Sequence, residues 1–451
     1  MNRETQRKKQ KKIRWMQLVY LILLPAVIIF PDNLAAAQNA TPLTLQEGLK
    51  IAAGESRIVK IARFNEAIAE SDTHIARAGL LPSINATAAH TNMARQPAMI
   101  FAGQAVNTSD SNYYSYSISI QQLLFDFRGS LSRYEASRML LEAKKLDSVR
   151  IKNVVAFDFI LAFYDYLEAQ HYVKTALGEI ASLESHNRDA TLRYKAGVIT
   201  RNDLLQVQVR LSDARQKHLS AKNIEAVRAT KLNDFLLLPL NGNINVVEPQ
   251  EVTAEPKHFE MERSWEVATS KRSEILIVDR TLSAVDLESA AQKTEFLPKF
   301  FVRGSNDYME NSYQRYENNL SLIVGVNFNL FEGGRSWADL QKSNNRKKQL
   351  LEQRARLVDE IKMEVQRYSL DLQNAYARIL VSRDAASQAR ENLRINKKRY
   401  EEGEGTATEV LDAVTLLTTA ETNHIRSVYD YRKAEAALHY ALGMNLLEVY
   451  R

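Results

Sequence analysis

Laid against itself with an offset of 206 residues, the chain reads as two copies of one plan. "RYKAGVITRNDLLQVQVRLSDARQKHL" begins at Arg193, and "RYEEGEGTATEVLDAVTLLTTAETNHI" begins at Arg399. The Arg-Tyr pair coincides, as do Gly197/Gly403, Thr200/Thr406, Asp203/Glu409, Leu205/Leu411, Leu211/Leu417, Ala214/Ala420 and His218/His424. The same offset sets Leu124-Phe125-Asp126 on Leu330-Phe331-Glu332, and farther upstream an offset of 216 sets Leu81-Pro82 on Leu297-Pro298. A duplication of this kind constrains the fold more than composition does, because whatever one half forms the other must form too. The ten residues by which the first half is longer fall around "MARQPAMIFAGQAVNTSDSN", where an insertion predicts a surface loop.

Each half opens with a predicted helix of about 30 residues, such as "LQEGLKIAAGESRIVKIARFNEAIAESDTHIARAG". Leu-Pro, a strand, a polar loop, a second strand and Leu-Phe-acid follow. "NYYSYSISIQQLLF" alternates with period two: Tyr114, Tyr116, Ile118 and Ile120 on one face, Ser115, Ser117, Ser119 and Gln121 on the other. "NNLSLIVGVNFNLFEGGRS" repeats the pattern with Leu320, Leu322, Val324, Val326 and Phe328. The strands after Pro82 and Pro298 are less patterned, although "PKFFVRGSN" reads as one. A proline-free helical stretch from Phe127 to Lys195 comes next, about 100 Å long at 1.5 Å per residue. A glycine-bearing turn and a last helix of about 40 residues complete the half. That helix carries a 3-4 seam, Leu204, Val207, Leu211 and Ala214, with Val410, Ala413, Leu417 and Ala420 in the second copy. The expected organisation is a leader at 1–37, a first repeat at 38–238, a proline-bearing linker at 239–258 and a second repeat at 259–451.

The leader joins a basic stretch, "MNRETQRKKQKKIR", to an apolar one, "WMQLVYLILLPAVIIF", and then to Ala35-Ala36-Ala37, which is the pattern of an export signal. A retained anchor is the competing reading, disfavoured by the short apolar run and by Pro25. The leader holds seven Lys/Arg and two Asp/Glu, so it accounts for most of the net charge of +6. The rest of the chain, nearly neutral, has no basis for binding nucleic acid. With no cysteine it has no disulfide, thiolate metal site or lipidated N-terminal Cys. After the leader no apolar run reaches the 18–20 residues of a spanning helix, so any membrane crossing must use strands.

Four strands cannot close a barrel, and two-faced strands in lipid need a closed one. Three chains would supply twelve strands, with the long helices continuing the tube beneath. At this point the chain resembles the TolC-like outer-membrane factor family over about residues 43–445. The resemblance rests on the duplicated Leu-Pro-strand-loop-strand-Leu-Phe-[Asp/Glu] block and the duplicated Arg-Tyr-x-x-Gly-x5-[Asp/Glu] turn. It implies an α+β membrane protein: a homotrimer with a 12-stranded β-barrel in the outer membrane of a Gram-negative bacterium and an α-helical barrel reaching through the periplasm. The implied function is an exit duct for efflux or type I secretion, without cofactor or catalysis, whose partners are a periplasmic adaptor and an inner-membrane transporter.

The helix turns are the candidate sites. Gly197 and Gly403 fit C-cap positions that take positive φ. By resemblance, Glu409 and Asp412 match an acidic pair lining the closed aperture, where six carboxylates in a trimer would repel one another and attract cations. The competing reading has Glu409 capping its helix and Asp412 solvated; Asp203 reads as a helix-start residue. Tyr400 matches a tyrosine that helps hold the aperture shut, but the family's arginine partner falls on Gly405 here. Arg193 and Arg399 are candidates for adaptor contact, or for capping turn carbonyls.

Other motifs carry nothing. "GEGTAT" at 403–408 lacks the third glycine and the preceding strand of a phosphate loop. The runs "NNRKK" and "NKKRY" are interleaved with or followed by acids and read as solvated helix faces. His218 and His424 share a repeat position on the seam, which points to packing rather than ligation. A coiled-coil structural protein, secreted or periplasmic, is the alternative; it gives no reason for the two strand-bearing interruptions.

Overall fold

The structure is a computed structural model that describes residues 42–249 and 260–451. The leader at 1–37 and the linker segment 250–258 lie outside the described residues. The first half contains α1 (Leu45–Glu55), α2 (Arg57–Ala78), β1 (Ser83–Asn92), β2 (Ala98–Phe101), β3 (Gln104–Asn107), β4 (Asn112–Phe125), α3 (Gly129–Lys195) and α4 (Arg201–Phe235). The second contains α5 (Met261–Lys271), α6 (Ser273–Lys293), β5 (Lys299–Met309), β6 (Asn318–Asn327), α7 (Arg335–Glu401), α8 (Ala407–Ala441) and the short α9 (Leu446–Val449). The two longest helices have 67 residues each and the helices after them 35 each. All four limits of α7 and α8 fall 206 residues beyond those of α3 and α4.

β1, β4, β5 and β6 form one antiparallel sheet in that order. Its central pair, β4 and β5, joins the two halves in a register running from Ser115↔Met309 to Phe125↔Phe300, with one irregularity at Leu123/Phe125. β1 and β6 are the edges. The predicted opening helix of about 30 residues is instead two helices in each half. The first copy breaks at Ser56, which leaves helical geometry at ψ 150° and accepts from the Val59 backbone N–H at 3.4 Å. The second breaks 216 residues on, at Arg272, with ψ 120°. The Arg272 guanidinium is buried there, donating to both Glu274 oxygens at 3.0 Å, to Glu364 at 2.8 Å and to the Ala441 carbonyl at 3.4 Å. The predicted polar loop between β1 and β4 also differs from expectation: it holds its own hairpin, β2–β3.

The Leu-Phe-acid signature has a local cause. It marks the place where each strand turns into a long helix through two successive left-handed residues, Phe127 and Arg128 in one copy and Gly333 and Gly334 in the other. The glycines adopt this backbone without penalty, whereas Phe127 and Arg128 are strained there. In the first copy Asp126 offsets the strain by capping α3: one of its oxygens accepts from both the backbone N–H and the hydroxyl of Ser130 at 2.6 Å.

Two apolar belts lie along the helices. In one, α1 and α2 pack on α3 and α4 through Leu49, Val59, Phe159, Phe163 and Leu232. A Cβ on Gly48 would lie 2.3 Å from Phe159 Cζ, so the helices approach as closely as glycine allows. In the other, α5 and α6 pack on α7 and α8 through Ala268, Ile275, Ile361, Val365 and Leu438. Phe159 is fully buried, and Phe159→Ala should cost about 3–5 kcal/mol through lost burial and the cavity left behind. Denaturant unfolding of the detergent-solubilised protein, followed by helical circular dichroism, checks this; a loss under about 1 kcal/mol would mean that the belt collapses around the gap.

Candidate functional site: a two-faced sheet and a helical tip

The sheet presents its apolar side to the exterior. Tyr114, Tyr116, Ile118 and Ile120 of β4 are exposed, and so are Ile84 of β1 and Leu322, Val324 and Val326 of β6. Leu320 retains 83% of its accessible surface. The opposite face is hydrogen-bonded and polar. Ser117 and Ser305 hydroxyls both donate to Asp307, and the Ser305 and Ser321 hydroxyls lie 2.8 Å apart. Arg303 donates to the Gln121 side chain. Such a pattern inverts a water-soluble sheet, which keeps its apolar side inward.

Aromatic residues mark both ends of the apolar band. Tyr114, Tyr116, Tyr308, Tyr313 and Tyr316 cluster towards the loops; Phe125, Phe127, Phe300, Phe328 and Trp337 cluster at the helix junctions. From Tyr114 to Leu124 the strand advances about 33 Å, or about 25 Å along the normal at a tilt near 40°. That is the height of an outer-membrane apolar band. Among the described residues no helix is long and apolar enough to cross a membrane.

At the other end, the two hairpin turns are built alike. Gly197 (φ 75°) and Gly403 (φ 84°) end their helices in the left-handed region. The N–H groups of Gly197 and Val198 return to the carbonyls of Tyr194 and Arg193, and those of Gly403 and Glu404 to Tyr400 and Arg399. Thr200 and Asp203, and equally Thr406 and Glu409, close reciprocal capping boxes at the next helix starts. The Glu409 carboxylate thus accepts from the Thr406 backbone N–H at 3.0 Å and stands 3.8 Å from Arg399. Asp412, one turn on, is exposed and pairs with nothing among the described residues. Its repeat counterpart is Gln206, whose side chain accepts from Thr408 at 3.3 Å.

Tyr400 does not lie on an open surface of the single chain. It is 3% exposed and sits with Leu183, Ala190, Leu204, Val207 and Val410 in the cluster that joins the two hairpins. The Arg193 guanidinium lies 4.6 Å from its ring centre and donates to the Glu401 carbonyl at 2.7 Å, tying one turn to the other. Arg399 donates to the Glu404 carbonyl at 3.3 Å, within its own turn. At Gly405 a Cβ would come 3.1 Å from both Glu409 Oε2 and Tyr400 N, a tight fit for any side chain.

Sequence reading missed His186, which is 1% exposed beneath Tyr400, ring centres 4.9 Å apart. Its Nε2 and the Tyr400 hydroxyl are both buried without a hydrogen-bond partner among the described residues. His186 has no counterpart in the other repeat, where Asn392 stands, so the duplication did not flag it. His218 is half-buried on the seam as expected, and among the described residues no cluster of ligands could hold a metal.

A sheet with its apolar face outward, continued by paired helices about 100 Å long, is the chain architecture of an outer-membrane channel rather than of a coiled-coil rod. The family model for outer membrane efflux proteins matches residues 49–233 and 277–444, and the chain belongs to that family, the TolC-like outer-membrane factors. It is 23% identical over 345 residues to the alkaline protease secretion protein AprF of Pseudomonas aeruginosa, covering 74% of this chain and 71% of AprF. With the outer membrane efflux protein BepC of Brucella suis it shares 21% over 429 residues, covering 93% and 90%. The Campylobacter jejuni CmeC outer membrane channel superposes with a TM-score of 0.77 at 14% identity, over 88% of this chain and 85% of that one. The protein is therefore an outer-membrane duct that extends into the periplasm, and its family is one of channels, not enzymes.

Two outcomes follow. Leu322→Arg on the apolar face should cost about 2–4 kcal/mol near mid-membrane, whereas Ser119→Arg on the polar face should be tolerated. Heat-modified mobility of outer-membrane extracts reports assembly of each; equal tolerance would mean that the faces are misassigned. The second outcome concerns pH. Burial holds the His186 pKa below its usual 6.5, and Lys397 and Arg193 act in the same direction. A backbone hydrogen bond at Ala407 and the charge of Asp189 oppose it. A base whose pKa falls on folding binds fewer protons folded than unfolded, so its contribution is complete above about pH 6.5 and is lost below. Thermal stability should decline from pH 7.5 to 5.5 and decline less in His186→Leu. His439, half-buried and with its pKa also lowered by desolvation, supplies part of the remaining slope. An unchanged slope in the variant would exclude His186 as a source.

Proposed function

We propose that three copies of this chain close a 12-stranded barrel and a coaxial helical tube, forming the exit duct of a tripartite efflux pump or type I secretion system. The observation that carries the reading is the pair of free edges, β1 and β6, on a sheet whose outer face is apolar. Lipid provides no hydrogen bonds to an open edge, so β6 of one chain must pair with β1 of the next until the ring closes. The duct is passive: a periplasmic adaptor and an inner-membrane transporter deliver cargo to the helical tip, and the cargo leaves through the barrel.

In this reading the turns Gly197 and Gly403, with Arg193, Arg399 and Asp203 beside them, form the rim that meets the adaptor. Tyr400 keeps the two hairpins of each chain together. Asp412, without a partner among the described residues, turns to the axis with Glu409 and gives the aperture its negative potential. Glu409 is shared between that role and its helix cap.

Sedimentation of cell envelopes on a sucrose gradient, followed by native mass measurement in detergent, tests the assembly. The duct requires the dense outer-membrane fraction and a mass of three chains; a soluble periplasmic monomer would refute it. For the aperture, Asp412→Asn should lower cation selectivity in planar-bilayer recordings, by reversal potential under a salt gradient, with the fold intact. A reversal potential matching the wild type would remove Asp412 from the pore.

A further inference from the structure

The insertion in the first half is not an ordinary polar loop. From Gln96 to Ser109 it carries no charged residue, whereas the equivalent connection in the second half, "ENSYQRYE" at 310–317, is polar throughout. Within it β2 and β3 pair Ala98↔Asn107, Met99↔Val106, Ile100↔Ala105 and Phe101↔Gln104. Met99, Phe101 and Val106 therefore share one face, and Ala98, Ile100 and Ala105 the other. Both faces are bare, and Ile100 is 82% exposed. The base of the hairpin is nonetheless anchored. Gln96 donates to the Tyr313 hydroxyl at 3.0 Å, Asn311 to the Thr108 carbonyl at 3.4 Å, and the Ser312 backbone and hydroxyl to Asp110 at 2.6 and 2.8 Å. A fixed, uncharged, two-sided apolar ribbon at the outer rim needs cover.

The choice of cover follows from the backbone. Among the described residues β2 and β3 pair only with each other, so the outer edge of each carries unpaired N–H and C=O groups. Immersion in hydrocarbon would leave those groups unsatisfied, at several kcal/mol each. Other copies of the same ribbon offer apolar side chains and hydrogen-bonding edges at once. Resting on the trimeric reading above, we propose that the β2–β3 hairpin is a self-association surface: three of them, one per chain, meet towards the barrel axis and narrow its outer mouth. The distances allow it. Twelve strands about 4.8 Å apart and tilted near 40° enclose a radius of about 12 Å, and each leg from Pro97 to Phe101 reaches about 15 Å.

The chain has no cysteine, so Ile100→Cys places a single thiol at the tip. Mild oxidation of the native protein in outer-membrane vesicles should give a disulfide-linked dimer from two chains of each trimer, and Tyr316→Cys on the neighbouring connection should not. Met99→Cys repeats the test should Ile100→Cys fail to assemble. Removal of residues 98–107 should raise single-channel conductance at least twofold. A trimer by native mass whose tip thiols stay reduced, or a bimane at residue 100 quenched by brominated lipid, would overturn the proposal while leaving the duct intact. A monomer would overturn both.

Discussion

An antiparallel sheet that turns its apolar face away from its own chain cannot rest in water, and one with two open edges cannot rest in lipid. Every other feature of this protein sits around that conflict. The outward rows of Ile118, Ile120, Leu322 and Val324 make the sheet a membrane element, while the unpaired edges of β1 and β6 make it an incomplete one. In the proposed assembly, copies of the chain resolve both at once. The Phe- and Tyr-rich ends set the depth at which this happens, and the left-handed pair at each strand end redirects the chain from a tilted strand into a helix.

The two halves depend on each other at three levels. In the membrane, β4 pairs with β5 across the duplication. Midway, Lys433 of α8 reaches Asp165 and Glu168 of α3 at 3.1 and 2.9 Å, so a partly buried charge cluster links the hairpins. At the tip, Tyr400 of one hairpin enters the seam of the other, beneath Arg193. The duplicated plan supplies two like modules; residues without a counterpart, such as His186 and Lys433, together with Tyr400, which is buried where its repeat partner Tyr194 stays exposed, make them one body.

Much of this was legible in the sequence, because repetition and period are global signals. The 206-residue offset located both hairpins, and the alternation of Tyr114–Ile120 and Leu320–Phe328 identified the strands and their faces. Local exceptions were not legible. Ser56 and Arg272 break helices whose composition is helical throughout, since the break depends on partners such as Glu364 that are 92 residues away from Arg272. The β2–β3 hairpin carries apolar residues on both of its faces, so it has no period-two polar alternation and reads as a loop. At the tip, resemblance pointed to Glu409 and Asp412 together, yet capping by Thr406 is as local a cause for Glu409 as any pore. Only the fold separates it from Asp412, which has no partner among the described residues.

The matching limits of the helices carry a further consequence. With 67 and 35 residues in both hairpins, the two turns of a chain stand level, and Tyr400 meets its pocket at one depth only. One extra helical turn in a single hairpin would displace its tip by about 5.4 Å and carry Tyr400 past Leu183 and Leu204. Changes in length are therefore tolerated only in matched sets, added to all four helices together. The chain behaves as a ruler with two parallel scales, and its span between membrane and tip is among the properties least open to gradual change.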